Sequence, residues 1–340
     1  MIKIWNKDIE CCSDRKKIED IQLERLRHMA CKAYENVPFY KKRFDESGIK
    51  PEMIKSLSDL KNLPFTTKED LRDNYPFGLF AEPMKNVVRL HASSGTTGKP
   101  VVAGYTKGDI EVWSEAIARI VTAGGIDEND VVQISFGYGL FTGGFGLHYG
   151  IEKVGATIVP MSSGNTQKQL MLMQDFGTTA LVATPSYAMY LSEMIKEKGI
   201  PRDNFKLKYG FFGSEAMSEK MREKLEDSMG ILVTSNYGLT EVMGPGVSGE
   251  CIYKCGEHIN EDMFIVEIID PKTGEVLPYG ESGEVVITTL TKEAMPVLRY
   301  RTRDISYIIP EPCTCGRTSY RLAPIQGRTC LLYTSDAADE

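Results

Sequence analysis

Residues 87–106 read VVRLHASSGTTGKPVVAGYT, two strand-like runs on either side of Ser93-Ser94-Gly95-Thr96-Thr97-Gly98-Lys99-Pro100. Two glycines let this backbone turn tightly and aim amides outward. Four hydroxyls add donors and Lys99 adds a positive charge, a combination suited to a polyphosphate. The stretch is not a Walker A loop, which has four residues between its glycines, a Ser or Thr after the lysine and a helix following. Here Thr96 and Thr97 alone separate the glycines, Pro100 follows Lys99, and a strand-like run comes next.

Outward from this loop, apolar runs continue as VVQISF, ATIVPM, ALVATP, YGFFGS and LVTSNYG. Between them lie the helical patterns Asp109–Ala123, Thr166–Phe176, Tyr187–Lys198 and Ser218–Met229. Strands alternating with helices predict a mainly parallel sheet covered on both faces. After residue 262 the texture changes to FIVEIID, GEVVITTL and VLRYRT joined by turn sequences, which predicts an antiparallel β subdomain. Upstream, Asp14 to about Asp45 is helical in period, with Ile18, Ile21, Leu26 and Met29 on one stripe, and Thr66, Thr67 and Glu69 mark a further helix start. The expected organisation is a helical N-terminal region (1–75), an α/β core (76–261), a β subdomain with a metal knuckle (262–328), and a tail (330–340) with the texture of a junction rather than native sequence.

Composition sets bounds on the chemistry. With 340 residues, 42% hydrophobic and 26% charged, the chain has the make-up of a soluble globular enzyme of two domains, or of one large domain with subdomains. Forty Lys and Arg against 47 Asp and Glu, with no basic block, argue against a nucleic-acid surface. No apolar stretch of a membrane-spanning length and no signal-peptide core occur, so the expectation is a cytoplasmic protein with no membrane partner. In a reducing compartment eight cysteines are not read as a disulfide framework.

Four further groups carry chemistry. Tyr237-Gly238-Leu239-Thr240-Glu241 follows LVTSN directly, at the strand end that faces the ligand crevice of an α/β sheet, and Glu241 there suits Mg²⁺ beside phosphates. Asp304, after a strand, suits ribose hydroxyls; the competing reading is an ion pair with Arg299, Arg301 or Arg303. Gly137–Gly144 sets Tyr138 and Phe141 among glycines, including Gly143, a loop able to flank a small flat ring, whereas His148 reads as structural. His258, Cys313 and Cys315, with either Cys251 or Cys255, would complete a closed tetrahedral Zn²⁺ site of structural type.

As a set these segments resemble a known family. SSGTTGKP, FGSEAMS, YGLTE, RYRTRD and GRT stand in the order of the adenylate-forming superfamily of acyl-CoA synthetases. YENVPFYKKRFDESGI, LHASSGTTGKP, FGYGLFTGGFGLHYG and GEHINEDMF more closely resemble its phenylacetate–CoA ligase family, from about Trp5 to Thr329. The resemblance implies an AMP-forming ligase that turns an arylacetate and ATP into an acyl adenylate and then a CoA thioester, with ATP/AMP, Mg²⁺ and coenzyme A. It implies that Ser93, Ser94, Gly95, Thr96, Thr97, Gly98 and Lys99 close on the β- and γ-phosphates, and that Thr240 and Glu241 handle the α-phosphate and Mg²⁺. Gly213, Ser214 and Glu215 match the segment lining adenine, and Tyr237, beside Asn236 and Gly238, matches the aromatic stacked on it. Asp304 matches the ribose carboxylate, Arg328 the arginine near the hinge, and Tyr138 and Phe141 the aryl pocket. Cys251 is the zinc ligand it favours over Cys255, and homodimers through the N-terminal helices are common among such relatives. In the family an acidic hinge residue and a small lid with the catalytic lysine follow GRT, where this sequence has Cys330 and ends at Glu340. The expectation is that this polypeptide binds ATP and the aryl acid and turns over poorly. The alternatives are a nucleotide and aryl-acid binding fragment without full turnover, or a related adenylating ligase for another carboxylate.

Overall fold

Helix α1 (Lys7–Glu10) leads into α2 (Arg15–Asn36), which starts where Asp14 accepts the Lys16 amide and stops at Val37, because Pro38 cannot extend its ladder and instead opens α3 (Pro38–Glu46). The structure, a computed structural model, describes residues 2–93 and 99–328. Along α2 the buried positions are Ile18, Gln22, Leu26, Met29, Ala30 and Ala33. Ile21 is only half-buried; Gln22 takes its place by donating from Nε2 to the Glu261 carbonyl at 2.9 Å. A Thr67–Asp70 capping box starts α4 (Lys68–Asp73).

The two runs that flank the Ser/Thr/Gly loop, β1 (Arg89–Ala92) and β2 (Val102–Tyr105), pair only with each other, as an antiparallel hairpin. The α/β core follows: α5 (Lys107–Ala123), β3 (Val131–Ile134), α6 (Thr142–Val154), β4 (Thr157–Val159), α7 (Thr166–Asp175), β5 (Ala180–Ala183), α8 (Pro185–Glu197), β6 (Tyr209–Gly213), α9 (Glu219–Met229) and β7 (Leu232–Leu239). Next come β8 (Gly244–Glu250), β9 (Glu257–Ile259), β10 (Phe264–Ile269), β11 (Gly283–Thr289), β12 (Tyr300–Ser306), β13 (Ile308–Ile309), β14 (Arg321–Leu322) and β15 (Gly327–Arg328). A small antiparallel sheet has the order β10-β11-β12-β15, and a nine-stranded sheet runs β13-β14-β9-β8-β7-β6-β5-β3-β4.

Two expectations need correction. The large sheet is mixed rather than mainly parallel. It is parallel from β4 to β7 and antiparallel from β7 to β13, because the chain turns straight back after β7 with no crossover helix. The turn with Cys313 and Cys315 lies between β13 and β14, so the knuckle belongs to the edge of the large sheet and not to the small one.

A helix also stands where the sequence reads as a glycine loop. Helix α6 begins at Thr142, and its glycines serve close packing on α5. A Cβ at Gly146 would sit 2.2 Å from the Trp113 ring, and one at Gly150 would sit 2.2 Å from Ile117. Trp113 and Ile117 lie in the main apolar core with Tyr40, Phe44 and Phe264. Among the described residues no helix is long and apolar enough to cross a membrane.

Candidate active site and metal cluster

The carboxyl ends of β3, β5, β6 and β7 open into a cleft, as expected for parallel strands of an α/β sheet. It consists of two cavities, of about 470 and 740 Å³, that share Ser214, Glu215, Asn236, Gly238, Leu239 and Arg328. The smaller is walled by Gly213, Tyr237, Asp304 and Gln326. The larger is walled by Lys68, Ser93, Phe136, Phe141, Gly143, Thr240, Glu241 and Arg303.

At the smaller end β6 and β7 are in register, with Gly213 opposite Asn236. A Cβ at 213 would lie 2.7 Å from Asn236 Nδ2, so the glycine makes room for that amide to donate to the Phe212 carbonyl at 3.1 Å, leaving Oδ1 free to accept. Ser214 takes a left-handed backbone, φ 69°, which turns the chain out of β6. Tyr237 donates its hydroxyl to Asp304 Oδ2 at 2.7 Å, and Arg328 Nε donates to Oδ1 at 2.8 Å across the β12–β15 pairing. Burial, then the Asp304 charge, push the Tyr237 phenol well above its ordinary range. The competing ion pairs for Asp304 do not form: Arg299 holds Glu267, Arg301 holds Glu284 and Arg303 holds Glu69.

The back wall of this end went unread in the sequence. Arg222, Ser235 and Glu257 line it, Arg222 binds Glu250 through two nitrogens, and Glu257 accepts from Ser235 at 2.7 Å and from Ser248 at 2.8 Å. Burial, then the Glu250 charge, push the Glu257 carboxyl up to about 8.

At the larger end Thr240 and Glu241 stand in the turn between β7 and β8. Thr240 Oγ1 lies 3.2 Å from Thr142 Oγ1, and the buried Glu241 has Lys68 Nζ 3.3 Å from Oε1. Lys68, in the first turn of α4, is a site cation that the TTKED helix start conceals. Ser93 closes the β1–β2 hairpin, accepting the Val101 amide at 3.0 Å. Residues 94–98, hence Ser94, Gly95, Thr96, Thr97 and Gly98, lie outside the described residues. Lys99 is exposed, with its ammonium 5.6 Å from the centre of the Tyr75 ring. Beneath this end Lys292 is fully buried, and burial pushes it down to about 8.

Phe141, half exposed, and Gly143 line the larger cavity, but Tyr138 does not. Its ring packs edge-on against Phe145 and His148, and its hydroxyl lies 3.1 Å from His148 Nδ1, on the half-buried side of helix α6. Tyr138, expected at the aryl pocket, thus packs beside the cavity rather than lining it. His148 is structural, its imidazole pushed down by burial.

On the far side of the sheet Cys251, His258, Cys313 and Cys315 bring their ligand atoms within 4.8 Å of one another. Cys251 Sγ and Cys313 Sγ are 3.7 Å apart, and Cys315 Sγ is 3.3 Å from His258 Nε2. A tetrahedron with Zn–S bonds of about 2.3 Å has edges of about 3.8 Å, so the donor set and spacing fit zinc. His258 Nδ1 lies 3.0 Å from Ser319 Oγ, which orients the ring. A hydrogen bond from Cys251, then His258, pull the Cys315 thiol down. Cys255 is exposed and donates to the Tyr253 carbonyl, away from the cluster, which leaves Cys251 as the converging thiol. The knuckle also holds the N-terminus, through Arg317 Nε donating to Glu10 Oε1 at 2.7 Å and the Thr318 amide donating to the Glu10 carbonyl at 2.9 Å.

Comparison with known proteins agrees with this architecture. A family model described as AMP-binding enzyme matches residues 32–291. Phenylacetate-coenzyme A ligase of Aromatoleum evansii is 53% identical, over 92% of this chain and 71% of the relative. Those of Thermus thermophilus and Escherichia coli K12 are 49% and 48% identical, over 93% and 92% of this chain and 71% of each relative. Among solved structures, 2-hydroxyisobutyryl-CoA ligase in complex with 2-HIB-AMP and CoA superposes with a TM-score of 0.91 at 28% identity, covering 96% of this chain and 71% of that one.

Proposed function

Because this chain belongs to the AMP-binding enzymes, in the adenylate-forming family of the phenylacetate–CoA ligases, we propose that its cleft activates phenylacetate or a similar arylacetate with ATP and passes the acyl group to coenzyme A. The observation that carries this reading is the pair of joined cavities, one suited to a nucleoside and the other to a small acid, with Thr240 and Glu241 at the larger cavity beside the shared wall.

In this reading adenine lies between the Gly213–Glu215 segment and Tyr237, with Asn236 Oδ1 as an acceptor beside it. The ribose hydroxyls meet Asp304, which Tyr237 and Arg328 hold in place. The triphosphate extends past Gly238 toward Thr240, Lys68 and Ser93. The acid enters along Phe136, Phe141 and Gly143, and its carboxylate attacks the α-phosphorus as pyrophosphate leaves. A carboxylate needs no base for that step, so the side chains contribute position and charge rather than proton transfer. Glu241 and the Thr142 and Thr240 hydroxyls line the same cavity and are oxygen donors of the kind Mg²⁺ takes; the ion, when bound, would neutralise phosphate charge. The CoA thiol then displaces AMP from the adenylate. Zinc held by Cys251, His258, Cys313 and Cys315 is structural, since four protein ligands leave no open position.

Calorimetric titration of ATP–Mg²⁺ and then phenylacetate into the purified chain tests the reading. Saturable binding of both, with phenylacetate bound more tightly than acetate, is expected. Binding of neither overturns it. Equal affinity for acetate redirects the substrate class.

A further inference from the structure

Behind the larger cavity lies a charge that the proposed chemistry leaves unused. Lys292 is fully buried, and its Nζ has no hydrogen-bond partner among the described residues. The ammonium sits 4.5 Å from the centre of the Tyr105 ring. Tyr105 is itself sealed: Trp113 stacks on it at 4.9 Å, and its hydroxyl donates to the Met243 carbonyl at 2.6 Å. Met243 closes the turn that carries Thr240 and Glu241, so Lys292 and that turn grip the same ring.

Two carboxylates act on Lys292, those of Asp109 and Glu241. Asp109 is already committed: its oxygens accept the Thr106 amide at 2.7 Å, the Glu293 amide at 2.6 Å and the Ala294 amide at 3.0 Å. Those bonds fix the backbone beside Lys292 and hold its stem in place. Glu241 is the less committed of the two, with Lys68 on its cleft side. The other charged or titratable groups nearby are Arg89 of β1, a like charge, and His91, whose imidazole burial pushes down and whose Nδ1 faces the Leu140 carbonyl; His91 Nε2 makes no hydrogen bond to Lys292 among the described residues. An ammonium sealed from water without a partner costs stability, several kcal/mol in general terms, and packing alone would be served better by an apolar chain.

We propose that Lys292 is a positioning residue for the phosphate site, a fixed cation that, through the Tyr105 ring it shares with Met243, steadies the Thr240–Glu241 turn for ATP–Mg²⁺ without touching the nucleotide. The proposal rests on Glu241 being the phosphate-site carboxylate. It gives a residue of the 290–295 segment, which lies outside the site motifs of the sequence, a part in nucleotide binding.

A double-mutant cycle in the whole chain tests it, with K292M and E241Q alone and together, reading ATP–Mg²⁺ affinity by calorimetry and thermal midpoint by calorimetric scanning. K292M is expected to lower affinity about tenfold while raising Tm by a few degrees. In the E241Q background the same change is expected to cost less than about threefold, a coupling within the range seen for interacting charges. K292R, which keeps the charge, is expected to stay within about threefold of the parent and serves as the second arm if the methionine variant does not fold. An equal loss in both backgrounds, or a fall in Tm with affinity unchanged, overturns the proposal. An E241Q chain that binds ATP–Mg²⁺ as the parent does overturns the reading of Glu241 itself, and the two failures are thereby told apart.

Discussion

The cysteine cluster and the nucleotide cleft share a wall, and they handle charge in opposite ways. In the cluster the four ligand atoms already converge, within 4.8 Å, and Ser319 and Arg317 brace the surrounding chain. In the cleft two carboxylates are held by groups that a ligand can relieve or share: Asp304 by Tyr237 and Arg328, Glu241 by Lys68. Below it Lys292 has no partner among the described residues. A site that only stabilises is closed on itself, whereas one that binds and releases keeps some of its charges underpaired.

The largest effect should come from opening the closed site. Cys313→Ser removes a ligand of the proposed zinc and chelation removes the ion itself; a structural metal contributes folding energy, so Tm should fall on the order of 10 °C. ATP affinity of the fraction still folded should change little. Metal analysis giving less than one zinc per parent chain, or an unchanged Tm, would break the contrast at its stronger pole.

Next is the pH response of Lys292. Its folded-state value is about 8, below the ordinary lysine range, so between about pH 8 and 10 the unfolded chain binds more protons and stability rises with pH. The burden is fully present below pH 8 and amounts to about 3 kcal/mol. Urea unfolding of K292M and parent should therefore differ most below pH 8 and converge toward pH 10. A gap independent of pH would mean that Lys292 finds a partner in solution.

Asp304→Ala removes the acceptor of two side-chain hydrogen bonds and the expected ribose contact. ATP affinity should drop about tenfold to a hundredfold, the scale of hydrogen bonds to a charged group. Zinc content should not change. A loss of zinc in this variant would show that cleft and cluster do not behave as separate sites.

The smallest effect sharpens the aryl end. Tyr138→Phe loses only the contact to His148, so phenylacetate affinity should stay within about twofold, whereas Phe141→Ala should weaken it several-fold. The reverse order would return Tyr138 to the cavity.

Strands were the most legible part of the fold. Each apolar run from VVRLHA to LVTSNYG forms one, and in the central β5 burial of every position favours a continuous apolar stretch. Their partners were not legible: nothing local separates the β1–β2 hairpin from runs that join the large sheet, and two-residue strands such as β13 and β14 carry no period. Helix α6 was hidden by Gly143, Gly144, Gly146 and Gly150, which argue against a helix locally and are retained because Trp113 and Ile117 leave no room for a Cβ at Gly146 or Gly150. In the site, Glu241 could be read from its place after β7, whereas Asp304, expected after a strand, stands inside β12; Lys68, Glu257 and Lys292 could not be read, since their roles arise from neighbours in other elements. Spacing alone left Cys251 and Cys255 level, and only the direction of each thiol separates them.

The glycine contacts between α5 and α6 also bear on how such a cleft can change its diet. Phe141, Gly143 and Gly144 stand at the start of a helix pressed so closely on its neighbour that it cannot slide without displacing Trp113. The wall proposed to bind the acid is thus a rigid rail with exchangeable fittings. Acceptance of a larger or smaller acid is to be gained by swapping Phe136 or Phe141, one side chain at a time, while the frame that aligns the carboxylate with the phosphate stays in place.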